Sequence, residues 1–125
     1  MTFGLLLVSC DTYNYIHYTV ENNTNDSLQL TYTFGDSYFA TQATDTTVIL
    51  PGNRTDTLFI FVQISPSVYD PEDGDHMIYI SNTEIMRLRD GMKIKKDVTL
   101  RKNWHFIETG KNSALMQFTI NENDF

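Results

Sequence analysis

Apolar residues in this chain recur at every second position in short runs cut by turn-forming residues, and no stretch keeps a helical period for more than a turn or two. Ile16, Tyr18 and Val20 alternate with Tyr15, His17 and Thr19, and Leu28, Leu30, Tyr32 and Phe34 alternate with Gln29, Thr31 and Thr33. Successive side chains on an extended strand point to opposite faces, so this pattern builds strands that each offer one face to a core. Composition agrees, with 16 Thr, 10 Ile and 6 Val against three Ala. Such a residue set suits a pleated sheet better than a helix bundle.

The 125 residues suffice for one domain. Along the chain the strand-like segments follow one another closely. If Val20 faces Leu28, then Tyr18 faces Leu30 and Ile16 faces Tyr32, which predicts a hairpin across the polar stretch Glu21–Ser27. Asp45–Leu50 reads as a strand stopped by Pro51-Gly52. Thr57–Ile64 is the most apolar run and is expected near the middle of a sheet, with Ile60 and Val62 or Phe59 and Phe61 facing the core. Met77–Ser81 reads as the next strand. A three-residue loop, Arg89-Asp90-Gly91 with Gly91 at positive φ, would pair Leu88 with Met92 and Met86 with Ile94. A last hairpin turns at Gly110-Lys111-Asn112 and places Trp104 inside, opposite Phe118. About eight short strands suggest an all-β, immunoglobulin-like two-sheet antiparallel sandwich. A small β-barrel is the alternative.

The N-terminus constrains location. Met1–Ser9 carries no charge, is too short to span a bilayer, and ends in Leu7-Val8-Ser9-Cys10. This looks like a bacterial lipobox, in which the cysteine is lipidated and the chain is cut before it. The bland reading makes Phe3–Val8 a strand and Cys10 a small buried residue. The cysteine is the only one in the chain, it follows the apolar run directly, and polar Asp11-Thr12-Tyr13-Asn14 comes next. Residues 1–9 are therefore expected to be the tail of a lipoprotein signal segment, and 10–125 a single β-sandwich domain, with Cys10 the lipidation site.

Taken together, the lipobox, the Asn/Thr/Asp-rich turn before Leu28, Asp45-Thr46-Thr47-Val48-Ile49-Leu50-Pro51-Gly52, the Arg89-Asp90-Gly91 turn and the end Phe118–Phe125 resemble the small lipoproteins of Bacteroides and its relatives. The resemblance implies an immunoglobulin-like sandwich tethered by lipid to a cell-envelope membrane. It implies no activity.

Chemistry-bearing motifs are sparse. His17, His76 and His105 share no ligand spacing, so no metal site is expected, and His17 and His105 should lie on an outer face. Asp70, Glu72, Asp73 and Asp75 crowd a loop around Gly74 but lack the spacing of an EF-hand. No nucleophile elbow, Cys/His pair or phosphate loop appears, so neither enzymatic activity nor a cofactor is expected. A net charge of −7 argues against nucleic-acid binding. The charge is uneven: seven of the nine Lys and Arg residues lie between Arg87 and Lys102. They could face an acidic partner or anionic headgroups, or form a solvated face that guards an edge. Asn22, Asn25 and Asn53 begin N-glycosylation sequons, and Asp26-Ser27-Leu28, Asp45-Thr46-Thr47 and Asp56-Thr57-Leu58 match an Asp-Ser/Thr-apolar pattern used for O-linked glycans. In a bacterial protein the sequon matches are mostly chance, and short residues that suit turns and strand ends explain the Asp-Ser/Thr pattern at least as well.

The segment between Phe34 and Asp45 lacks alternation, and adjacent Tyr38 and Phe39 cannot both face a core if it is extended. They are the candidate ligand-binding residues, because flat aromatics at a sandwich end make a platform for a partner; the bland alternative, which weighs more, has one packed inward and the other covering an edge strand. The function expected is that of a lipid-anchored envelope protein, of the outer membrane or its periplasmic or surface face, acting as a non-catalytic binding or adhesion module for a protein or glycan. A structural accessory subunit of an envelope assembly is the alternative, ahead of a small hydrolase.

Overall fold

The computed structural model describes residues 12–34 and 43–125. They hold seven strands: β1 (Thr12–Asn22), β2 (Leu28–Phe34), β3 (Ala43–Ile49), β4 (Phe59–Ser65), β5 (Ile80–Arg87), β6 (Trp104–Gly110) and β7 (Ser113–Ile120). Single 3-10 turns occur at Arg101–Asn103 and Glu122–Asp124. The strands form a four-stranded sheet of order β4-β1-β7-β6 and a three-stranded sheet of order β3-β2-β5. The sheets do not close into a barrel, so the fold is an all-β two-sheet sandwich. All pairings are antiparallel except β1 with β7, which run parallel from Tyr15–Ser113 to Asn22–Ile120.

The core is the set of inward positions that the alternation marks. Ile16, Tyr18 and Val20 of β1, with Ala114, Met116, Phe118 and Ile120 of β7, face Leu28, Leu30, Tyr32 and Phe34 of β2 and Ile85 of β5, all buried. Trp104 pairs with Phe118 across β6–β7 and is 2% exposed. Its ring lies 5.3 Å from that of Phe118 and 6.0 Å from that of Tyr18, and its indole N–H donates to the Val98 carbonyl at 2.8 Å. The Phe34 and Phe59 rings stack at 5.5 Å and join the two sheets.

The Asp45–Leu50 strand, its Pro51-Gly52 stop and the β6–β7 hairpin lie where the sequence places them. Four expectations need correction. β1 and β2 do not form a hairpin: they belong to opposite sheets and face each other across the core. The corner between them is fixed by Asn22, whose buried amide donates to the carbonyls of Asp26 (2.8 Å), Ile49 (3.0 Å) and Leu50 (3.3 Å) and accepts from the Thr24 N–H and hydroxyl. The apolar run around β4 is an edge strand, because β1 occupies the central position beside it. Met77–Tyr79 lies outside the sheet, and a single strand, Ile80–Arg87, spans what reads as the end of one strand and the start of the next. Finally, Met86 bridges Lys93 and the Arg87 N–H donates to the Met92 carbonyl, so the turn is the four-residue Leu88–Gly91, one longer than expected. Gly91 does adopt positive φ (71°), and its N–H closes the turn on the Arg87 carbonyl.

Candidate functional site

Cys10, Tyr38 and Phe39 lie outside the described residues. Among those described, the outer face of the four-stranded sheet stands out. In β1 the outward phase is Tyr13, Tyr15 and His17, and in β4 it is Ile60, Val62 and Ile64. The register sets Tyr13 beside Ile64, Tyr15 beside Val62 and His17 beside Ile60. The last row continues through Leu115 of β7 to Ile107 of β6. Opposed side chains in such rows touch, so these residues form one surface. Tyr13 is 62% exposed and Ile64 66%, and Tyr15, Ile60, Val62 and Ile107 are exposed as well.

Chain chemistry explains why this face exists. Both phases of β4 are apolar, so packing Phe59 and Phe61 against the core leaves three branched aliphatics outside. β1 puts its tyrosines in the phase opposite to Ile16 and Tyr18. No Asp, Glu, Lys or Arg occurs in Thr12–Val20, in β4 or in β7. Contiguous uncharged apolar surface of this kind marks an interaction site more often than it marks plain solvent contact. A sequence signal for it was present: two strands with apolar residues in both phases. Strands buried on both faces give the same pattern.

The basic stretch is largely neutralised from within. Arg87 pairs with Asp90 (2.7 Å), Arg89 with Asp26 (3.0 Å), Lys93 with Glu84 (3.4 Å) and Lys96 with Asp124 (3.9 Å), and Arg101 pairs with Asp70. Each exposed pair adds little stability, but together they offset five of the seven positive charges that an acidic partner would meet. Arg87 and the Met92 N–H also hold the Asp90 carboxyl down to about 2. The Lys93, Lys96 and Arg101 pairs tie the segment 93–103 to the rest of the molecule, as do the Met77 N–H to Thr99 carbonyl bond (2.8 Å) and the Arg101 N–H to Asp75 carbonyl bond (2.9 Å).

The acidic loop divides its carboxylates among separate roles. Asp70 binds Arg101 and the Glu72 N–H, whereas Glu72 turns inward and is buried. The Glu72 carboxylate accepts from the Ile78 and Tyr79 N–H groups and from the Tyr18 hydroxyl at 3.3 Å. Burial raises the Glu72 pKa above the ordinary carboxylate value, against the lowering effect of these donors. Burial, then the Glu72 charge, raise the Tyr18 phenol pKa far above its usual value, so it stays a neutral donor. Among the described residues, no three His, Cys, Asp or Glu side chains come together to hold a metal ion. His17 and His105 both lie on the outer face, where the His17 Nδ1 is 2.9 Å from the Thr57 hydroxyl.

The described residues also line two open clefts. One of about 510 Å³ is lined by Gly74–His76 and Leu100–Lys102, and a smaller polar one of about 200 Å³ lies between Thr47–Leu50 and Asn53–Asp56. Neither brings together the nucleophile, base and charge-stabilising donors of a catalytic site. Of the sequon asparagines, Asn22 is fully buried and consumed by its corner, so it is closed to a glycan in the folded protein. Compared with protein-family models, curated proteins and solved structures, the chain matches none.

Proposed function

We propose that this chain is a non-catalytic binding module of the bacterial cell envelope, held to a membrane by a lipid on Cys10, that docks a protein partner on the outer face of its four-stranded sheet. One observation carries the docking site: Tyr13, Tyr15, Ile60, Val62 and Ile64 form a contiguous exposed surface without a charged residue. The chemistry of that surface favours protein over glycan. A sugar needs several polar side chains around an aromatic platform, whereas Tyr13 and Tyr15 sit beside aliphatic Ile64 and Val62, and the outward His105 and Gln117 lie on the far strands of the sheet. Tyrosines beside branched aliphatics suit the centre of a protein interface, where apolar area is removed from water and each hydroxyl keeps a polar contact. The anchor rests on Leu7-Val8-Ser9-Cys10. Tyr13 lies three positions beyond Cys10, which would keep the docking face close to the membrane.

The test has two arms. Expressed behind an intact signal in a suitable bacterium, wild type should take up labelled fatty acid and stay with membranes, and Cys10→Ala should lose both. Equal behaviour of the two would remove the anchor. For docking, a photo-crosslinking amino acid at Tyr13 or Tyr15 in the native host should yield a discrete adduct with another envelope protein. The same probe at Thr46, on the other sheet, should yield none. Identical adduct patterns from both faces would remove the docking site.

A further inference from the structure

Among the described residues, four strand edges bound the two sheets: β4 and β6 in one, β3 and β5 in the other. Proteins keep such edges from pairing with other chains by placing charges, prolines or bulges on them, or by covering them. Three of these edges are protected. β3 carries exposed Asp45 in mid-strand. β5 carries Glu84 paired with Lys93, and the Met86–Lys93 bridge covers part of its free side. β6 carries exposed Glu108 next to a break in register. β4 differs from all three. Its sequence, Phe59-Ile60-Phe61-Val62-Gln63-Ile64-Ser65, contains no charge, proline or glycine. It runs in unbroken register with β1, and among the described residues no strand pairs with its other side.

We propose that β4 is a dimerisation edge whose occupant is β4 of a second copy, antiparallel about a two-fold axis at Val62. Val62 is the middle residue of the strand, so this register overlaps its whole length. It sets Val62 against Val62 and Ile60 against Ile64, giving branched aliphatic pairs across the outer face, the kind that stabilise neighbouring strands. Charge selects a second copy. The chain carries −7, so two copies repel each other except where carboxylates are absent, and β4 with the adjoining β1 is such a region. The contact also closes. Each protomer contributes one unprotected edge and the pairing is isologous, so assembly stops at two. The two four-stranded sheets then become one continuous sheet, with both outer faces on the same side. The contact runs along the free backbone edge of β4, shares Ile60, Val62 and Ile64 with the docking face proposed above, and is tested on the purified chain alone, so its failure would leave that docking face standing.

Sedimentation velocity and native mass spectrometry across micromolar concentrations should give twice the chain mass for wild type. Val62→Lys and Val62→Glu should each give the monomer mass, since like charges would meet at the axis. An equimolar mixture of the two variants should restore a dimer of mixed mass, which a merely misfolded variant could not do. Residues opposed in an antiparallel pair have Cα atoms roughly 4.5–5.5 Å apart, within disulfide reach. In a Cys10→Ala background, Val62→Cys should therefore crosslink to itself on mild oxidation, and Ile107→Cys, at the far side of the sheet, should not. A wild-type monomer throughout would overturn the proposal. So would open-ended oligomers, a Val62→Lys variant as dimeric as wild type, or a dimer in which Val62→Cys fails to crosslink.

Discussion

At the scale of single residues, one buried aromatic and one buried carboxylate carry opposite lessons. Trp104 fills the space between Phe118 and Tyr18 and satisfies its N–H on the Val98 carbonyl. Trp104→Ala removes that volume and strands the carbonyl, and should cost about 3–5 kcal/mol in urea unfolding. A loss below ~1 kcal/mol would mean that the site collapses around the gap. Glu72 acts the other way, because the fold holds its carboxyl less acidic than the unfolded chain does. A carboxyl with a raised folded pKa contributes stability that is fully present below its unfolded value, near 4.5, and is lost as pH rises through the folded value. Glu72→Gln keeps an acceptor for the Ile78 and Tyr79 N–H groups and cannot ionise. The stability of wild type minus that of Glu72→Gln should therefore fall as pH rises from 4 toward neutrality, by about 1.4 kcal/mol for each pH unit that separates the folded and unfolded pKa values. A flat difference across urea midpoints in that range would contradict the assignment. Asp90 and Asp97, held below the usual carboxylate value by their donors, contribute with the opposite sign and lose their effect as pH falls.

At the scale of elements, Asn22 decides how the first two strands relate. Its amide gathers three carbonyls from the β1–β2 corner and the end of β3, and so ties the two sheets together at one end. Asn22→Ala leaves those carbonyls short of a donor and should cost about 3 kcal/mol, since each buried group left unsatisfied costs roughly 1–3. Asn22→Asp, which adds a charge among them, should cost more. An effect below ~1 kcal/mol for both would mean that water replaces the amide without loss. The same corner shows what alternation can and cannot reveal. The inward phases of β1 and β2 are legible residue by residue, and Ile16, Tyr18, Val20, Leu28 and Leu30 are all fully buried. Which sheet each strand joins is not legible. Two apolar phases align equally well side by side in a hairpin or face to face across a core, and what decides is a side-chain bond at Asn22 that leaves no periodic trace. β4 was opaque for a related reason. Phe59 and Phe61 alternate with Ile60, Val62 and Ile64, and no pattern within one strand tells a neighbour from solvent. The candidate docking face was thus written in the sequence as a strand with too much apolar surface. Reading it as a surface required the position of β1 in the sheet.

At the scale of the whole molecule, the ends of the described fold meet: β1, the first strand, lies beside β7, the last, and the two run in the same direction over eight residue pairs. That geometry governs how the sandwich resists being pulled. A load applied before Thr12 and borne at the C-terminal end of β7 draws the two strands apart along their length. Every hydrogen bond between them then shares the force at once, whereas in a hairpin pulled at its open end the bonds break one after another. β1 is also clamped from its other side by β4 through Thr12–Tyr18. Stretching the protein between residues 12 and 120 in an optical trap should therefore show a high, single rupture, while pulling between residues 104 and 120, the open end of the β6–β7 hairpin, should begin at a much lower force. Equal forces for the two directions would contradict the shear geometry. For a chain held before Thr12 and loaded beyond Ile120, the first strand is thus a mechanical fuse set to a high rating.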